Sequence, residues 1–346
     1  MFRFFLCLFL ACSLLAPAPV PAGPVSSVRV AFLGDFLPAG SADPVIKSRG
    51  YGHLFAGVKH ILDSTDAVVL NLETPISTRG KAIEGKTYTF RASPRAAGGM
   101  AASGVKAVWL ANNHILDFGV EALDDTIGHL ERAGIAHAGA GCDVAAAACP
   151  AVLDFSAMKV SLLSFSNTFP DSYWAQKNRP GTFFGAPGPV GRAVRQSVLA
   201  GDGPVVTSFH WGAELMADPK EYQEDLARLA IDAGAALVVG HHPHIPQRID
   251  LYMGVPILYS LGNFSFGSYS GKVREGLLVV AQFGEGGRCE RLEVYPINVN
   301  NHEVQFSPRP IGGSEGQRVF KVLTEGVDRT QAEIQWDGEK GLIIPK

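Results

Sequence analysis

The stretch ALVVGHHPH, residues 236–244, ends an apolar run of strand length with three histidines. Pro243 stiffens the backbone between His242 and His244. Imidazole is the commonest metal ligand among side chains, and histidines at this density are typical of a segment that binds a ligand. The stretch therefore predicts a binding site at the end of a strand.

Other apolar runs also stop at an acid, an amide or a histidine. They are VAFLG before Asp35, AVVLNL before Glu73, AVWLA before Asn112, Asn113 and His114, VVTSF before His210, and ILYSLG before Asn263. Taken alone, Asp35 could occupy a turn or cap a helix, and Asn113 could occupy a left-handed turn. In open α/β sheets, however, ligands bind outside the carboxyl ends of the strands. Together these strand ends predict one shared site.

The spacing of the apolar runs predicts an α/β fold. The runs are rich in Val, Ile, Leu and Phe with little alternation, as expected for strands covered on both faces. Helical patterns between them favour parallel strands, and the later runs, which lack intervening helices, indicate an antiparallel part. These patterns are His53–Leu62, Pro94–Ala102, Val120–Ala133 and Lys220–Ala233. We interpret Asp171–Val190, the longest loop-like insert, as a rim of the site, with an ordinary surface loop as the alternative.

Length and composition exclude several classes of protein. A chain of 346 residues has room for two average domains, but residues 25–346 are most simply one large domain. The net charge of −3, from 30 basic and 33 acidic residues, argues against a nucleic-acid-binding surface. Hydrophobic residues at 47% exclude a disordered chain.

Residues 1–22 have the pattern of a secretory signal. Arg3 precedes the apolar run Phe4–Ala16, which is short of the ~18 residues that a membrane-spanning helix needs. The small residues of Val20-Pro21-Ala22 favour cleavage before Gly23. An uncleaved anchor and a lipoprotein acylated at Cys12 are the alternatives. We expect an exported protein, periplasmic or secreted, without an integral membrane span after cleavage.

Export would place the remaining cysteines in an oxidising compartment. Cys142 and Cys149 flank a short Ala-rich loop and are candidates for a disulfide, which leaves Cys289 as the odd thiol. The sequence contains no CxxC pair, so a cysteine-ligated metal site is not expected.

The strand-end residues suit a transition metal. Imidazoles, carboxylates and an amide oxygen together favour Mn, Zn or Fe over Ca or Mg. A carboxylate can bridge two ions ~3.5–4 Å apart, which would clamp both oxygens of a phosphoryl displacement. The strings GGSEG (312–316) and GKAIEGKT (80–87) match GxSxG and GxxxxGK[ST], but neither directly follows an apolar run of strand length, and no GxGxxG opens a helix. Serine-hydrolase and nucleotide-cofactor interpretations therefore have little support.

Six ordered segments resemble the motifs of the bacterial capsule synthesis proteins of the CapA type. They are GDFLP (34–38), NLETPI (71–76), LANNHILDFG (110–119), FHWGAE (209–214), GHHPHIPQ (240–247) and YSLGNFSF (259–266). The resemblance covers roughly residues 28 to 300. It implies a calcineurin-like metallophosphatase fold, a layered α-β-β-α sandwich with mixed sheets and ligands at the C-terminal ends of its strands. It also implies a link to poly-γ-glutamate synthesis.

The resemblance assigns roles to residues by position. The candidate ligands of one or two divalent ions are Asp35, Glu73, Asn113, His210, His242 and His244. His114 would contact the leaving group, and His241 would be an extra neighbour. Asp117 would orient His114, with a helix N-cap as its alternative role. The wider superfamily has a ligand histidine where this chain has Leu37. That metal site could therefore be weak, could leave only one ion bound, or could be completed by another residue such as Glu214 or Asn263.

These assignments predict a metal-dependent hydrolase acting on a phosphoester or a γ-glutamyl polymer, with His114 protonating the leaving group. The alternative is a non-catalytic metal- or polymer-binding accessory component of capsule assembly, in contact with capsule-assembly proteins. Such a component would need cations for an anionic chain. Arg91, Arg95, Lys177 and Arg179 could supply them, or could be ordinary surface charges.

Overall fold

The structure is a computed structural model that describes residues 27–156 and 158–346. The strands are β1 (Val28–Leu37), β2 (Ala67–Leu72), β3 (Val105–Trp109), β4 (Ala136–Ala138), β5 (Ala140–Gly141), β6 (Ala151–Asp154), β7 (Lys159–Ser166), β8 (Gly181–Thr182), β9 (Val205–His210), β10 (Ala235–His241), β11 (Ile249–Tyr252), β12 (Val255–Leu258), β13 (Asn263–Phe266), β14 (Glu275–Phe283), β15 (Cys289–Asn298), β16 (Arg309–Pro310), β17 (Ala332–Trp336) and β18 (Gly341–Pro345). The helices are α1 (Asp43–Arg49), α2 (His53–Ala56), α3 (Lys59–Leu62), α4 (Arg95–Ala102), α5 (Gly119–Arg132), α6 (Val144–Ala147), α7 (Pro187–Ala200), α8 (Glu221–Asp232), α9 (Asn301–Val304) and α10 (Gly313–Leu323).

The expected signal segment, residues 1–22 with Cys12, lies outside the described residues. Within the two described ranges, no helix has the length and apolar character needed to cross a membrane.

Two mixed sheets form the centre of the structure. The larger has the order β17-β18-β15-β14-β1-β2-β3-β4, with β13 beside β1 and β16 beside β15. Its half from β1 to β4 is parallel, whereas β14, β15, β17 and β18 pair antiparallel. The second sheet has the order β11-β12-β10-β9-β7-β6 and is parallel from β12 to β7. Helical crossovers join β1, β2, β3 and β4 in the first sheet and β7, β9 and β10 in the second, and they return each strand in the same direction. The parallel pair β10–β12 is instead connected through a loop and β11.

Alternating side chains of each strand enter different layers. In β1, Val30 and Phe32 face the core between the two sheets, while Ala31 and Leu33 face the core under α1 to α5. In β10, Val238 turns away from the middle core and packs against α7 and α8. Since successive strand residues point to opposite faces, apolar runs without alternation are what a sheet covered on both sides requires. The predicted α/β class with mixed sheets and α-β-β-α layers is confirmed.

The structure differs from the sequence prediction in one expected helix and in the length of the expected insert. The helix expected over His53–Leu62 is broken into α2 and α3 at Gly57, whose amide donates to Ser307 Oγ at 3.1 Å. The backbone at Pro308 lies so close to Gly57 that a Cβ atom added there would be 2.2 Å from the Pro308 carbonyl oxygen. Only glycine fits at this position, and the helix is interrupted there. The insert over residues 171–190 ends earlier than expected, because α7 begins at Pro187 with proline in its first turn.

The predicted disulfide between Cys142 and Cys149 is not formed, and both thiols are free and exposed. Helix α6 lies between them and is capped by Asp143, whose side chain accepts from Ala146 N at 2.8 Å. The Cys149 thiol donates to the Ala145 carbonyl at 3.3 Å. The helical turn therefore directs this thiol back onto α6 and away from Cys142.

We expect Cys142 and Cys149 to be alkylated in the folded protein and Cys289 only after unfolding. The thiolate is the reactive form, and burial raises the pKa of Cys289 to about 12. Brief treatment with iodoacetamide, followed by peptide mass spectrometry, measures each thiol separately. A disulfide-linked peptide, or rapid labelling of Cys289, would contradict this arrangement.

Candidate metal centre

Asp35 lies near the end of β1 and is completely buried. Its Oδ1 accepts a hydrogen bond from Asn71 Nδ2 at 2.8 Å, and its Oδ2 accepts one from the His242 backbone N–H at 3.2 Å. Burial alone would raise the pKa of Asp35, but the imidazoles of His241 and His244 hold it well below its usual range. The group is therefore an anion at neutral pH and a suitable ligand for a cation.

Glu73 follows β2 directly and is also completely buried. Neither of its carboxylate oxygens has a hydrogen-bond partner among the described residues. Oε1 lies 3.5 Å from His210 Nε2 and 3.9 Å from His244 Nε2. Burial raises the pKa of Glu73 well above its usual value, and the charge of Asp35 raises it further. A buried carboxylate without donors is destabilising unless a cation or a proton compensates its charge.

Two overlapping sets of side chains could each hold a metal ion. One is Glu73, His242 and His244, and the other is Asp35, Glu73 and His210, with the ligand atoms of each set within 4.8 Å of one another. The unpartnered Glu73 is common to both sets. Nitrogen and oxygen donors of this kind fit Mn, Zn or Fe, so the residues present suit a divalent metal.

Two further candidates, Asn113 and His241, lie beside these sets. Asn113, in the turn after β3, has its Oδ1 2.9 Å from His210 Nε2. His241 is buried with its Nδ1 3.2 Å from Asp35 Oδ1, and its ring contacts Trp109 behind the site. It belongs to neither set, as expected for a neighbour.

The expected substitutes for the missing histidine lie elsewhere. Leu37 is completely buried in the core under α1 to α5. Asn263 Oδ1 lies 2.8 Å from His244 Nδ1, where it orients that imidazole. Glu214 is exposed at a cavity of about 540 Å³ that His114, His244 and Asn263 also line. Glu214 belongs to neither ligand set, whereas Asn263 contacts His244, a member of one set.

His114 and Asp117 form a pair beside the centre. His114 Nδ1 lies 2.7 Å from Asp117 Oδ2. Helix α5 begins at Gly119 and its N-cap is Phe118, so Asp117 does not cap it. With Nδ1 facing Asp117, Nε2 of His114 is the nitrogen available to the cavity. Burial lowers the pKa of His114, although Asp117 opposes this effect.

Asn71 and Lys86 were not predicted as site residues, and Asn112 was named at a strand end without a role of its own. Asn112 Nδ2 donates to Asn71 Oδ1 at 3.1 Å, and Asn71 in turn donates to Asp35, so two amides hold the carboxylate in place. Asn71 interrupts the apolar run of β2, and this polar residue inside a buried strand was a usable signal. Lys86 lies in a segment without periodicity and pairs with Asp117 at 2.5 Å, a contact for which the sequence held no signal.

The insert after β7 does reach the site. Asn167, which precedes the insert, donates its backbone N–H to the His210 carbonyl at 2.9 Å. The ring centre of Tyr173, within the insert, lies 5.3 Å from Lys86 Nζ. This position supports the interpretation of the insert as a rim.

The basic residues considered for polymer binding lie away from the cavity. The Arg91 guanidinium stacks 4.2 Å from the Phe118 ring, and Arg179 Nη2 donates to the Trp174 carbonyl at 2.9 Å. Arg95 and Lys177 are exposed, and none of the four lines the cavity at His114. They are best explained as ordinary surface or structural charges.

We expect metal binding at neutral pH to release at least one proton. Burial would lower the pKa of His244, but Glu73 and Asp35 raise it to about 9, and burial also raises the pKa of Glu73. The neighbouring Glu73 and His244 therefore hold at least one proton between them before a metal binds. His242, whose pKa burial lowers to about 3, is already neutral. Because a ligand must lose its proton to bind a metal, affinity should rise by up to about tenfold per pH unit between about pH 6 and pH 8.

Calorimetry of Zn²⁺ or Mn²⁺ binding in buffers of different ionisation enthalpy measures this proton release. The variant His60→Ala, which removes an exposed histidine of α3, should release the same number of protons as the natural chain. Binding that is independent of pH would contradict the proton held between Glu73 and His244.

The sequence is similar to bacterial capsule synthesis proteins. The family model "Bacterial capsule synthesis protein PGA_cap" matches residues 29–268. "PGA biosynthesis protein CapA" of Bacillus subtilis (strain 168) is 28% identical over 318 residues, which cover 91% of this chain and 81% of that protein. A "Probable polyglutamine synthesis accessory protein" of Mycobacterium tuberculosis is 35% identical over 210 residues, which cover 58% of this chain and 55% of that protein. Among solved structures, the NAD nucleotidase of Haemophilus influenzae superposes with a TM-score of 0.45 at 12% identity, over 88% of this chain and 64% of that one.

Proposed function

The chain belongs to the bacterial capsule synthesis protein family PGA_cap, and on that premise we propose that it is a metal-dependent, metallophosphatase-like hydrolase. Its substrate would be a phosphoester or a γ-glutamyl polymer formed during capsule synthesis. The observation that carries this proposal is Glu73, a completely buried carboxylate without hydrogen-bond donors that two sets of candidate ligands share.

The residues that would hold one or two divalent ions are Asp35, Glu73, Asn113, His210, His242 and His244. A divalent ion bound there would polarise a substrate oxygen and lower the pKa of bound water to ~7. Asn71 and Asn263 would keep Asp35 and His244 in the orientation that binding requires. Burial keeps the pKa of His210 well below its usual value, so its imidazole is neutral and ready to bind.

His114 would exchange a proton with the leaving group. Its Nδ1 faces Asp117, which fixes the ring and leaves Nε2 toward the cavity where a substrate can enter. Such a proton transfer contributes typically about 10²- to 10⁴-fold to a rate. The surrounding aromatic side chains of Phe90 and Phe266 limit the access of water to this imidazole and to His244.

An assay across substrate classes tests the proposal. The purified chain would be loaded with Mn, Zn or Fe, its metal content measured by mass spectrometry, and phosphomonoesters, phosphodiesters and γ-glutamyl oligomers supplied. We expect metal-dependent turnover of at least one class. Stoichiometric metal binding without turnover of any of them would overturn the hydrolase assignment.

One observation favours the alternative of an accessory component without turnover. Leu37 occupies the place of a ligand histidine and packs in the apolar core. A metal site with fewer ligands could bind an ion or a polymer without turning over a substrate. Retention of γ-glutamyl polymer by the metal-loaded chain, in the absence of hydrolysis, would support this function.

We also propose that residues 1–22 direct export and that residues 25–346 form one domain. The apolar run Phe4–Ala16 supports export, and the shared middle core, which includes Val28 and Ile343, supports a single domain. N-terminal sequencing of the chain recovered outside the cytoplasm should begin at Gly23. An unprocessed Met1 in that fraction would contradict cleavage, and two separate unfolding transitions would contradict a single domain.

A further inference from the structure

Lys86 lies between β2 and α4 and extends its side chain beneath His114. Its Nζ donates to Asp117 Oδ1 at 2.5 Å and to the carbonyl oxygen of Asn113. The same nitrogen lies 3.3 Å from His114 Nδ1. Only 19% of the lysine side chain is exposed. The ammonium group thus touches the candidate metal ligand, the candidate proton donor and the carboxylate between them.

The carboxylate of Asp117 is held on both oxygens. Oδ2 accepts from His114 Nδ1 at 2.7 Å and from Phe90 N at 2.8 Å, while Oδ1 accepts from Lys86. The backbone N–H of Ile83 donates to the Asp117 carbonyl at 2.9 Å. The segment that carries Lys86 is therefore folded around Asp117.

The Lys86 ammonium group is largely buried, so it does not serve as an ordinary charge on the protein surface. Lysines usually keep the charged end in water, and withdrawing it from solvent is destabilising unless the new contacts compensate. Here the compensation comes from Asp117, from the Asn113 carbonyl and from the face of Tyr173, whose ring centre is 5.3 Å away. Each of these contacts lies next to His114.

We propose that Lys86 is a positioning residue that fixes the imidazole of His114 relative to the side chain of Asn113. It does so by joining the Asn113 carbonyl to the Asp117 carboxylate across the turn between them. Asn113 Oδ1 is held separately, 2.9 Å from His210 Nε2, so loss of the lysine link would free the His114 ring and leave the metal side in place. The kinetic part of this inference rests on the proposed hydrolase function.

The test compares Lys86→Met, which removes the charge at similar length, with Lys86→Arg, which keeps it. Lys81→Met, at an exposed lysine of the same segment, is the matched control. We expect Lys86→Met to lower kcat by about 10- to 100-fold with KM and metal content unchanged, as for other residues that orient ligands. Lys86→Arg should recover part of the loss, and Lys81→Met should behave as the natural chain.

A measurement independent of turnover separates the two proposals. In the Zn-loaded protein, ¹H–¹⁵N spectra of the His114 ring, assigned with His114→Gln, report which nitrogen carries the proton. The natural chain and Lys86→Arg should show one Nδ1-protonated form, and Lys86→Met should show a mixture. If the natural chain turns over no substrate, the hydrolase assignment fails. The His114 spectrum still shows whether Lys86 orients the imidazole, because it does not depend on turnover.

The positioning role is overturned if Lys86→Met retains the natural His114 spectrum. It is also overturned if the kinetic loss is accompanied by loss of bound metal, or is equally large in Lys81→Met. A melting temperature measured for each variant separates these outcomes from general unfolding, and a Lys86→Arg variant that folds but recovers nothing counts against the proposal.

Discussion

Glu73→Gln should remove stable metal binding and lower hydrolytic activity by about 10³-fold or more. Both candidate ligand sets include this one carboxylate, so a neutral amide in its place weakens both at once. Metal ions contribute several kcal/mol of charge stabilisation in a transition state, and about 1.4 kcal/mol corresponds to a factor of ten in rate. Glutamine has nearly the same shape as glutamate, so the loss would reflect charge and ligation.

The same substitution should leave the metal-free protein folded and no less stable. The natural carboxylate is buried without hydrogen-bond donors, and a neutral group avoids the cost of its desolvated charge. Adding metal should therefore raise the melting temperature of the natural chain and leave that of Glu73→Gln unchanged, since only a ligand that binds the folded state stabilises it.

Metal content by mass spectrometry and melting curves with and without Mn²⁺ or Zn²⁺ check this expectation. Glu84→Gln, at an exposed glutamate, is the matched control and should keep metal and activity. If Glu73→Gln retains metal with the natural stoichiometry and affinity, Glu73 is not the shared ligand.

The strand-end residues could be predicted because two local patterns coincide. Apolar runs identify buried strands, and in an α/β sheet the carboxyl ends of parallel strands meet at one edge. Asp35, Glu73 and His210 stand at such ends on three strands of two sheets, and the structure brings them together within 4.8 Å. No knowledge of the loops was needed for this part.

The contribution of the loops could not be predicted in the same way. Lys86 and Tyr173 come from irregular segments, and each reaches Asp117 or its neighbours only after the chain has folded across a long sequence separation. Such segments have no periodicity that would fix the direction of a side chain. Hairpin β17–β18 was also not predicted, although the exposed Glu333 and Gln335 alternate with apolar residues as in a half-buried strand.

Leu37 stands at an expected ligand position, but its side chain packs in the core. From the resemblance to the wider metallophosphatase superfamily, we expected a ligand histidine at this position, two residues after Asp35. In the structure the pairing of β1 with β13 shifts register between Asp35 and Leu37. Phe36 and Leu37 therefore both pack into the core under α1 to α5. The local irregularity converts a ligand position into a core position.

His114→Ala should lower kcat by about 10²- to 10⁴-fold while bound metal remains. The imidazole lies outside both candidate ligand sets, so its loss should not release an ion. It lines the cavity and is oriented by Asp117, which makes it the group within reach of a leaving atom. The decrease should be largest for substrates with poor leaving groups, because these depend most on a proton donor.

Two measurements distinguish a proton donor from a metal ligand. They are the bound metal content, and kcat and KM for a series of substrates whose leaving groups differ in pKa. His60→Ala, at an exposed histidine of α3, is the control and should have natural activity. Asp117→Asn should reproduce part of the His114→Ala loss, since an amide at Asp117 no longer supplies the charge that holds both Lys86 and the His114 ring. An equal decrease in kcat for activated and unactivated substrates would show that His114 is not the proton donor of the leaving group. Loss of bound metal from His114→Ala would instead show that His114 is a metal ligand.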